Sequence, residues 1–327
     1  MLTTTSIAGR TVRRLGFGCF PLTGGYGTFD QRDGVRVIHA VLDAGLAVLD
    51  TSDAYAAGAN EELVGRAVAD RRDAAVICTK FGWTLDAAGK PTILDSSPGR
   101  VRAACEASLR RLGTDHIDVY IQHRRDPDVA IEDTVGELRR LEDEGKIGAY
   151  GLSEVSTATL TRAHEAGRVA ALQTEYSLWS REPEADLLPT CVALGITFMA
   201  YSPLGRGFLT GGVRTSSDLP ADDFRRGHPR FQDENLKANR SLLTTLEEMA
   251  SGLGHTASQL ALAWVLAQRW NALPIPATTK LEHLHDNVAA LDIELTAAQL
   301  DAVSQAVPVD KVHGARHPAE HMKTINR

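Results

Sequence analysis

Val48-Leu49-Asp50-Thr51-Ser52-Asp53-Ala54-Tyr55 begins as an apolar run and ends in a cluster of polar side chains. Two later segments repeat this pattern. Ala74-Ala75-Val76-Ile77-Cys78-Thr79 runs into Lys80, and Ile117-Asp118-Val119-Tyr120-Ile121-Gln122 runs into His123. Such runs are short and nearly continuous in apolar residues, as expected of strands buried on both faces of a parallel sheet. Outward from these three, strand-like runs recur at 15–20, 46–50, 74–79, 117–122, 147–152, 170–174, 196–201 and 272–276. Amphipathic helical patterns fill most of the gaps, for example Val35, Val37, Ile38, Val41 and Leu42. Eight strands alternating with helices predict an α/β fold, a (β/α)8 TIM barrel, as one domain over residues 1–327. A short hairpin over 3–14, turning at Ala8-Gly9-Arg10, precedes it. Extra helices near 239–252, 258–268 and 296–305 are expected toward the C-terminus. The rival is an open doubly wound sheet, which wants a glycine-rich phosphate loop after an early strand. Leu15-Gly16-Phe17-Gly18-Cys19 offers two glycines, but Phe20 and Pro21 follow where a third is needed.

The fold gives the polar strand ends a common location. All strand C-termini of a parallel barrel lie at one face, and that face carries the active site. Asp50, Tyr55, Lys80 and His123 would converge there. Each alone has a plain reading as a cap, a turn, a core aromatic or a surface residue. Together they suit the reduction of a carbonyl, which needs hydride at carbon and a proton at oxygen. No side chain donates hydride, so a nicotinamide or flavin must. Tyrosine has a reference pKa near ~10 and needs a neighbouring cation to act as an acid. Lys80 is expected to lower that pKa, Asp50 to fix Lys80, and His123 to hydrogen-bond the substrate oxygen.

The chain has 327 residues, 43% hydrophobic, with a net charge of −7. That balance argues against nucleic acid as a partner, and the arginine pairs are scattered, not striped. Cys19, Cys78, Cys105 and Cys191 form no CxxC pair, and no metal site is expected. They read as small hydrophobes of a reduced, cytoplasmic protein. The first ten residues lack the apolar core of a signal peptide, and no run is long enough to span a membrane. One stretch breaks the strand–helix rhythm. Gly205 to about Asn239 is rich in glycine, proline and charge and follows a strand end, so it is expected to be a lid over cofactor or substrate.

The sequence resembles the aldo/keto reductase family along nearly its whole length. Leu49 to Tyr55, Thr79-Lys80-Phe81-Gly82 and Asp118 to His123 match three family motifs in order. The resemblance implies Asp50, Tyr55, Lys80 and His123 as the catalytic set. Ala200 to Gly211 is similar to the segment that binds nicotinamide and pyrophosphate, in the version of the branch with potassium-channel β subunits and perakine reductase. It implies roles for Tyr201, stacked on the nicotinamide, and for Ser202, Pro203, Leu204, Gly205, Arg206 and Gly207. Ser153, Glu154 and Gln173 would hold the carboxamide, with Cys19 and Phe20 nearby. Arg206 and Arg230 would reach the pyrophosphate. Ala277, Thr278, Thr279, Lys280, His283 and Asn287 would take the adenosine end. The family often has Asn in place of Glu154, Lys in place of Ala277 and Arg in place of His283. Lys280 then carries the charge, which favours NADPH over NADH. Phe20, Tyr26, Trp83 and Arg124 are expected to line a pocket for a small carbonyl substrate. Two other functions compete with reduction: a slow, cofactor-binding regulatory subunit, and an aldolase or isomerase using Lys80 as a Schiff base.

Overall fold

The computed structural model describes residues 3–326. Its strands in chain order are β1 (Thr4–Ile7), β2 (Arg10–Arg13), β3 (Phe17–Gly18), β4 (Val48–Asp50), β5 (Val76–Phe81), β6 (Trp83–Leu85), β7 (Pro91–Leu94), β8 (Val119–Gln122), β9 (Tyr150–Ser153), β10 (Ala171–Glu175), β11 (Thr197–Tyr201) and β12 (Leu273–Ile275). Eight of them pair in the order β12-β11-β10-β9-β8-β5-β4-β3, parallel throughout. Gly16 N–H donates to Pro274 O at 2.9 Å and Gly18 N–H to Pro276 O at 3.0 Å, which closes the sheet on itself. The (β/α)8 barrel expected from the strand rhythm is therefore the fold.

The helices are α1 (Gln31–Asp43), α2 (Ala59–Val68), α3 (Pro98–Leu112), α4 (Ile131–Asp143), α5 (Thr157–Ala166), α6 (Leu187–Leu194), α7 (Asp233–Gly252), α8 (Ala257–Ala267), α9 (Leu281–Ala289), α10 (Ala297–Ala306) and α11 (Ala319–Met322). Their starts follow local chemistry. Thr256 and Gln259 close a capping box on α8, as Thr296 and Gln299 do on α10. The apolar stripes of the helices pack on the outside of the barrel in one continuous core. A second cluster fills the barrel interior, where Val48, Val76, Val119, Ile121 and Met199 meet Ile7 and Val12 of the β1–β2 hairpin. That hairpin plugs the end opposite the strand C-termini, so chemistry is left to the other face.

Two features were not expected. β6 and β7 form a second antiparallel hairpin just beyond β5. Asp86 Oδ1 holds its turn by accepting from Ala88 and Lys90 N–H, each at 2.9 Å. The C-terminal residues after α10 pack back onto the molecule, with Arg316 and His317 buried. Within 205–232 the chain folds into four short 3-10 turns before α7 begins.

Candidate active site

Strands β4, β5 and β8 bring the sequence-derived set together. Lys80 ends inside the barrel mouth with 0% exposure. Its ammonium donates to Asp50 Oδ2 at 2.7 Å, to Thr51 O at 2.7 Å and to the Tyr55 hydroxyl at 3.3 Å. A Lys ammonium has three donors, so all of them are used. Gln173 Nε2 donates to the other oxygen of Asp50 at 2.7 Å, which fixes that carboxylate from β10. Burial would by itself discharge Lys80. Asp50 and Tyr55 outweigh it and hold the ammonium above its usual pKa. At Tyr55 the lowering expected from Lys80 is present but is outweighed. Burial raises the phenol above its ordinary value, and Lys80 only counteracts this. The hydroxyl therefore stays protonated through the physiological range, with a cation already in place for the charge left after proton transfer. Residues Ala56 and Ala57, directly after Tyr55, hold left-handed φ values of 48° and 52°. Non-glycine residues in that region are strained, and such strain clusters at functional sites.

His123 stands beside this set, its ring centroid 5.9 Å from that of Tyr55. Burial first, then Arg124 and Lys80, push its pKa well below the usual value, so it is a neutral imidazole. Its Nδ1 is 3.2 Å from Ser52 Oγ, which leaves Nε2 for a ligand.

A cleft of about 660 Å³ opens above these residues. At one end it is lined by Tyr55, His123 and the aromatic group of Phe20, Tyr26 and Phe224, whose ring centroids lie 5.3–5.6 Å apart. At the other end it reaches Thr278, Thr279, Lys280, His283 and Asn287 at the start of α9. Lys280 occupies the N-cap position of α9 and supplies no capping acceptor, so no side chain claims the first-turn N–H groups. Between the ends run Ser153, Gln173, Tyr201, Ser202, Pro203, Leu204, Arg206 and Gly207. The backbone is left-handed at Gly205, Arg206 and Gly207 in succession. Gly205 is required for a second reason. A Cβ there would lie 2.6 Å from the Trp179 indole.

A family model described as the aldo/keto reductase family matches residues 14–308. The chain belongs to the aldo/keto reductase family. It is 44% identical over 312 residues to a probable aldo-keto reductase of Glycine max, covering 94% of this chain and 89% of that protein. It is similar to the structure of a glycerol dehydrogenase from Gluconobacter oxydans, with a TM-score of 0.85, 32% identity and coverage of 93% of this chain and 94% of that one. An aldo/keto reductase of Klebsiella pneumoniae in complex with NADP and acetate aligns with a TM-score of 0.76 and 30% identity, over 97% of this chain and 99% of that one.

Not every expected residue reaches the cleft. Ala277 and Arg124 line the cleft as expected, but Cys19, Glu154, Gly205, Arg230 and Trp83 do not. Cys19 is fully buried beneath it. Trp83 belongs to the β6–β7 hairpin. Glu154 differs most from its expected carboxamide role. Its carboxylate is held by a bidentate pair with Arg316, at 2.7 and 2.8 Å, and accepts from the Tyr201 hydroxyl at 2.8 Å. Arg230 is likewise drawn inward. It donates to Ser180 Oγ at 2.7 Å and lies 3.5 Å from Glu175. Arg206 does line the cleft, yet its guanidinium bonds Glu175 at 2.6 Å and Arg316 O at 2.8 Å.

Several of the residues that sequence reasoning missed come from the roof. Phe224, Arg225 and Asp218 enter the cleft from the segment after β11, and His317 from the C-terminal tail. Arg225 sits over the Tyr26 ring with its guanidinium carbon 4.4 Å from the centroid. Phe224 stood in the expected lid as one of three phenylalanines there, with Phe208 and Phe231, and nothing local singled it out. His317 carried no local signal at all.

Proposed function

We propose that this chain is an NADPH-dependent carbonyl reductase, a cytoplasmic single-domain enzyme in which Tyr55 delivers the proton. The observation that carries the reading is one ammonium, that of Lys80, bonded at once to Asp50 and to the Tyr55 hydroxyl on the floor of an open cleft. A carbonyl oxygen set between Tyr55 and His123 would accept a hydrogen bond from each. As charge builds on that oxygen, the phenolic proton moves to it. The phenolate left behind is stabilised by the fixed Lys80 charge in a low-dielectric site. Asp50, held by Gln173, keeps Lys80 in place and has no direct part in the transfer. Bound NADPH supplies the hydride. The residues suit that cofactor. Ser153 and Gln173 offer polar groups at the reacting end. The α9 start, with Thr278, Thr279 and Lys280, suits an anionic phosphate. Asp286, at the same end, is taken up by Gln259 Nε2 at 3.2 Å. Phe20, Tyr26 and Phe224 favour a substrate with an apolar or aromatic body.

Steady-state rates over a panel of aldehydes and ketones, with NADPH and with NADH, test this reading. Carbonyl-dependent oxidation of NADPH is the expected result. Lys280→Ala should weaken NADPH more than NADH, since one charge-assisted contact contributes about 1.5–3 kcal/mol. No acceleration by any carbonyl would defeat the function, and equal losses for both cofactors would defeat the phosphate assignment.

A further inference from the structure

We propose that Asp53 and Ser52 are positioning residues that set which nitrogen of His123 carries its proton, and so switch the hydrogen bond offered to the substrate oxygen. Ser52 Oγ lies 3.2 Å from Asp53 Oδ1 on one side and 3.2 Å from His123 Nδ1 on the other. It also accepts from Ala54 N–H at 3.2 Å. Both Ser52 and Asp53 are buried. A hydroxyl has one proton to give. It goes to Asp53 or to His123, not to both.

The two choices have opposite consequences at the cleft. When Asp53 is a carboxylate, it is the stronger acceptor and takes the Ser52 proton in a charge-assisted bond. Ser52 can then only accept from His123, so the imidazole carries its proton on Nδ1. Nε2 is left as a bare lone pair that repels a carbonyl oxygen. When Asp53 is protonated, it donates to Ser52, and Ser52 turns its own proton to Nδ1. The neutral ring must then carry its proton on Nε2, where it donates into the cleft. The net change is one proton taken up by Asp53. The ring stays neutral by losing Nδ1–H and gaining Nε2–H through solvent in the cleft.

The surroundings place this change at physiological pH. Burial raises Asp53 most, and Glu61 on α2 raises it further. Arg111 and Arg100 on α3 and the Ser52 bond oppose them, and the result is pushed up to about 7. Tyr120 on β8 also faces Asp53. Glu61 is itself held by Thr79 and by Arg111. On the other side, Arg124 and Lys80 face His123 and with burial keep it uncharged, so it does not compete for the proton. The effect on turnover rests on the carbonyl-reduction reading, whereas the tautomer change does not.

Nitrogen NMR of the full-length chain labelled in histidine reads the tautomer directly, because protonated and bare ring nitrogens resonate far apart. Between pH 5.5 and 8.5, His123 should pass from Nε2–H to Nδ1–H with a midpoint near that of Asp53, without becoming charged. Asp53→Asn should remove the transition, since the amide does not titrate. Ser52→Ala breaks the connection with Asp53 intact and should remove it too, so the idea stays testable if Asp53→Asn fails to fold. In turnover, wild-type kcat should fall roughly tenfold or more from pH 6 to 8.5, within the ~10²-fold or greater value of one preorganised donor. Both variants should flatten that profile. A single His123 tautomer across the range in the wild type overturns the proposal, as does a transition that persists in either variant. A transition without any carbonyl-dependent turnover would keep the switch and defeat the reductase reading.

Discussion

The floor and the roof of the cleft use the same interaction for different ends. On the floor, Lys80 and Asp50 form a buried ion pair at 2.7 Å with side-chain exposures of 1% and 5%. In the roof, Arg316 and Glu154 do so at 2.7 Å with exposures of 4% and 0%, and Arg206 and Glu175 at 2.6 Å. The floor pair leaves one ammonium proton on the Tyr55 hydroxyl, a group facing the cleft. The roof pairs close on themselves. Glu154 receives both arms of Arg316 and the Tyr201 hydroxyl, and Arg206 reaches back to the Arg316 carbonyl. A buried pair that also bonds a hydroxyl facing a cavity can do chemistry, whereas one whose bonds run to other buried groups holds segments together. Here the roof pairs tie the C-terminal tail to β9 and β10.

This contrast predicts that substitutions on the floor change rate and those in the roof change stability. The largest expected effect is on the floor. Tyr55→Phe removes the hydroxyl proposed to donate the proton and keeps the ring, so kcat for aldehyde reduction should fall about 10²–10⁴-fold. NADPH affinity should stay within a few-fold and the unfolding midpoint close to wild type. Near-normal kcat in Tyr55→Phe would break the comparison at its strongest point.

In the roof, Arg316→Ala leaves the Glu154 carboxylate buried without its cation. Removing one partner of a buried pair costs about 3–5 kcal/mol. Denaturant unfolding of the full chain should register that loss. Combining Glu154→Gln with Arg316→Met should restore much of it, because an apolar replacement leaves no orphaned charge. A loss below ~1 kcal/mol for Arg316→Ala would mean the tail is not held by this pair.

The two regions also differ in how legible they are. Asp50, Lys80 and His123 each end a strand, and the strands are apolar runs visible in the chain. Tyr55 follows by five residues on the same loop. Parallel strands in a closed barrel put their ends together, so local sequence plus one topological rule located all four. The roof has no such rule. Glu154 and Arg316 are 162 positions apart, and nothing near either names the other. Sequence similarity placed Glu154 at the carboxamide by analogy with an asparagine, with no local sign of the arginine that pairs with it. Even on the floor, the lowering of Tyr55 by Lys80 was legible but the larger opposing effect of burial was not, because a sequence displays the cation and not the degree of burial. The β6–β7 hairpin escaped for a related reason. Its strands are short and largely outside the core, so they carry little apolar signal.

The smallest expected effect concerns the stretch after β11, where root and tip are built differently. The root is held by Arg206 and Arg230 on Glu175, all buried. The tip meets the loop after β3 through Phe224 N–H to Gly25 O at 2.9 Å and Thr28 Oγ1 to Asp222 Oδ2 at 3.0 Å, the latter exposed. Pro220 lies over Gly27, where a Cβ would come within 2.8 Å of its ring. Val213 and Leu219 anchor this tip in the main core, but most of its other residues are exposed or half-buried, so it should open at lower energy than the root. We propose that residues 212–228 swing from the root as a lid, in keeping with the lid expected over 205–239. Lids of this kind exclude water and often limit product release. Hydrogen exchange with and without NADPH separates the two parts. Protection at 212–228 should rise by roughly tenfold, about 1.4 kcal/mol in opening energy. Arg206, Arg230 and the body of α7 should exchange slowly in both states. If the tip does not respond, the segment is a static part of the barrel rim. If α7 responds equally, the hinge lies beyond the root and the buried pairs on Glu175 do not define it.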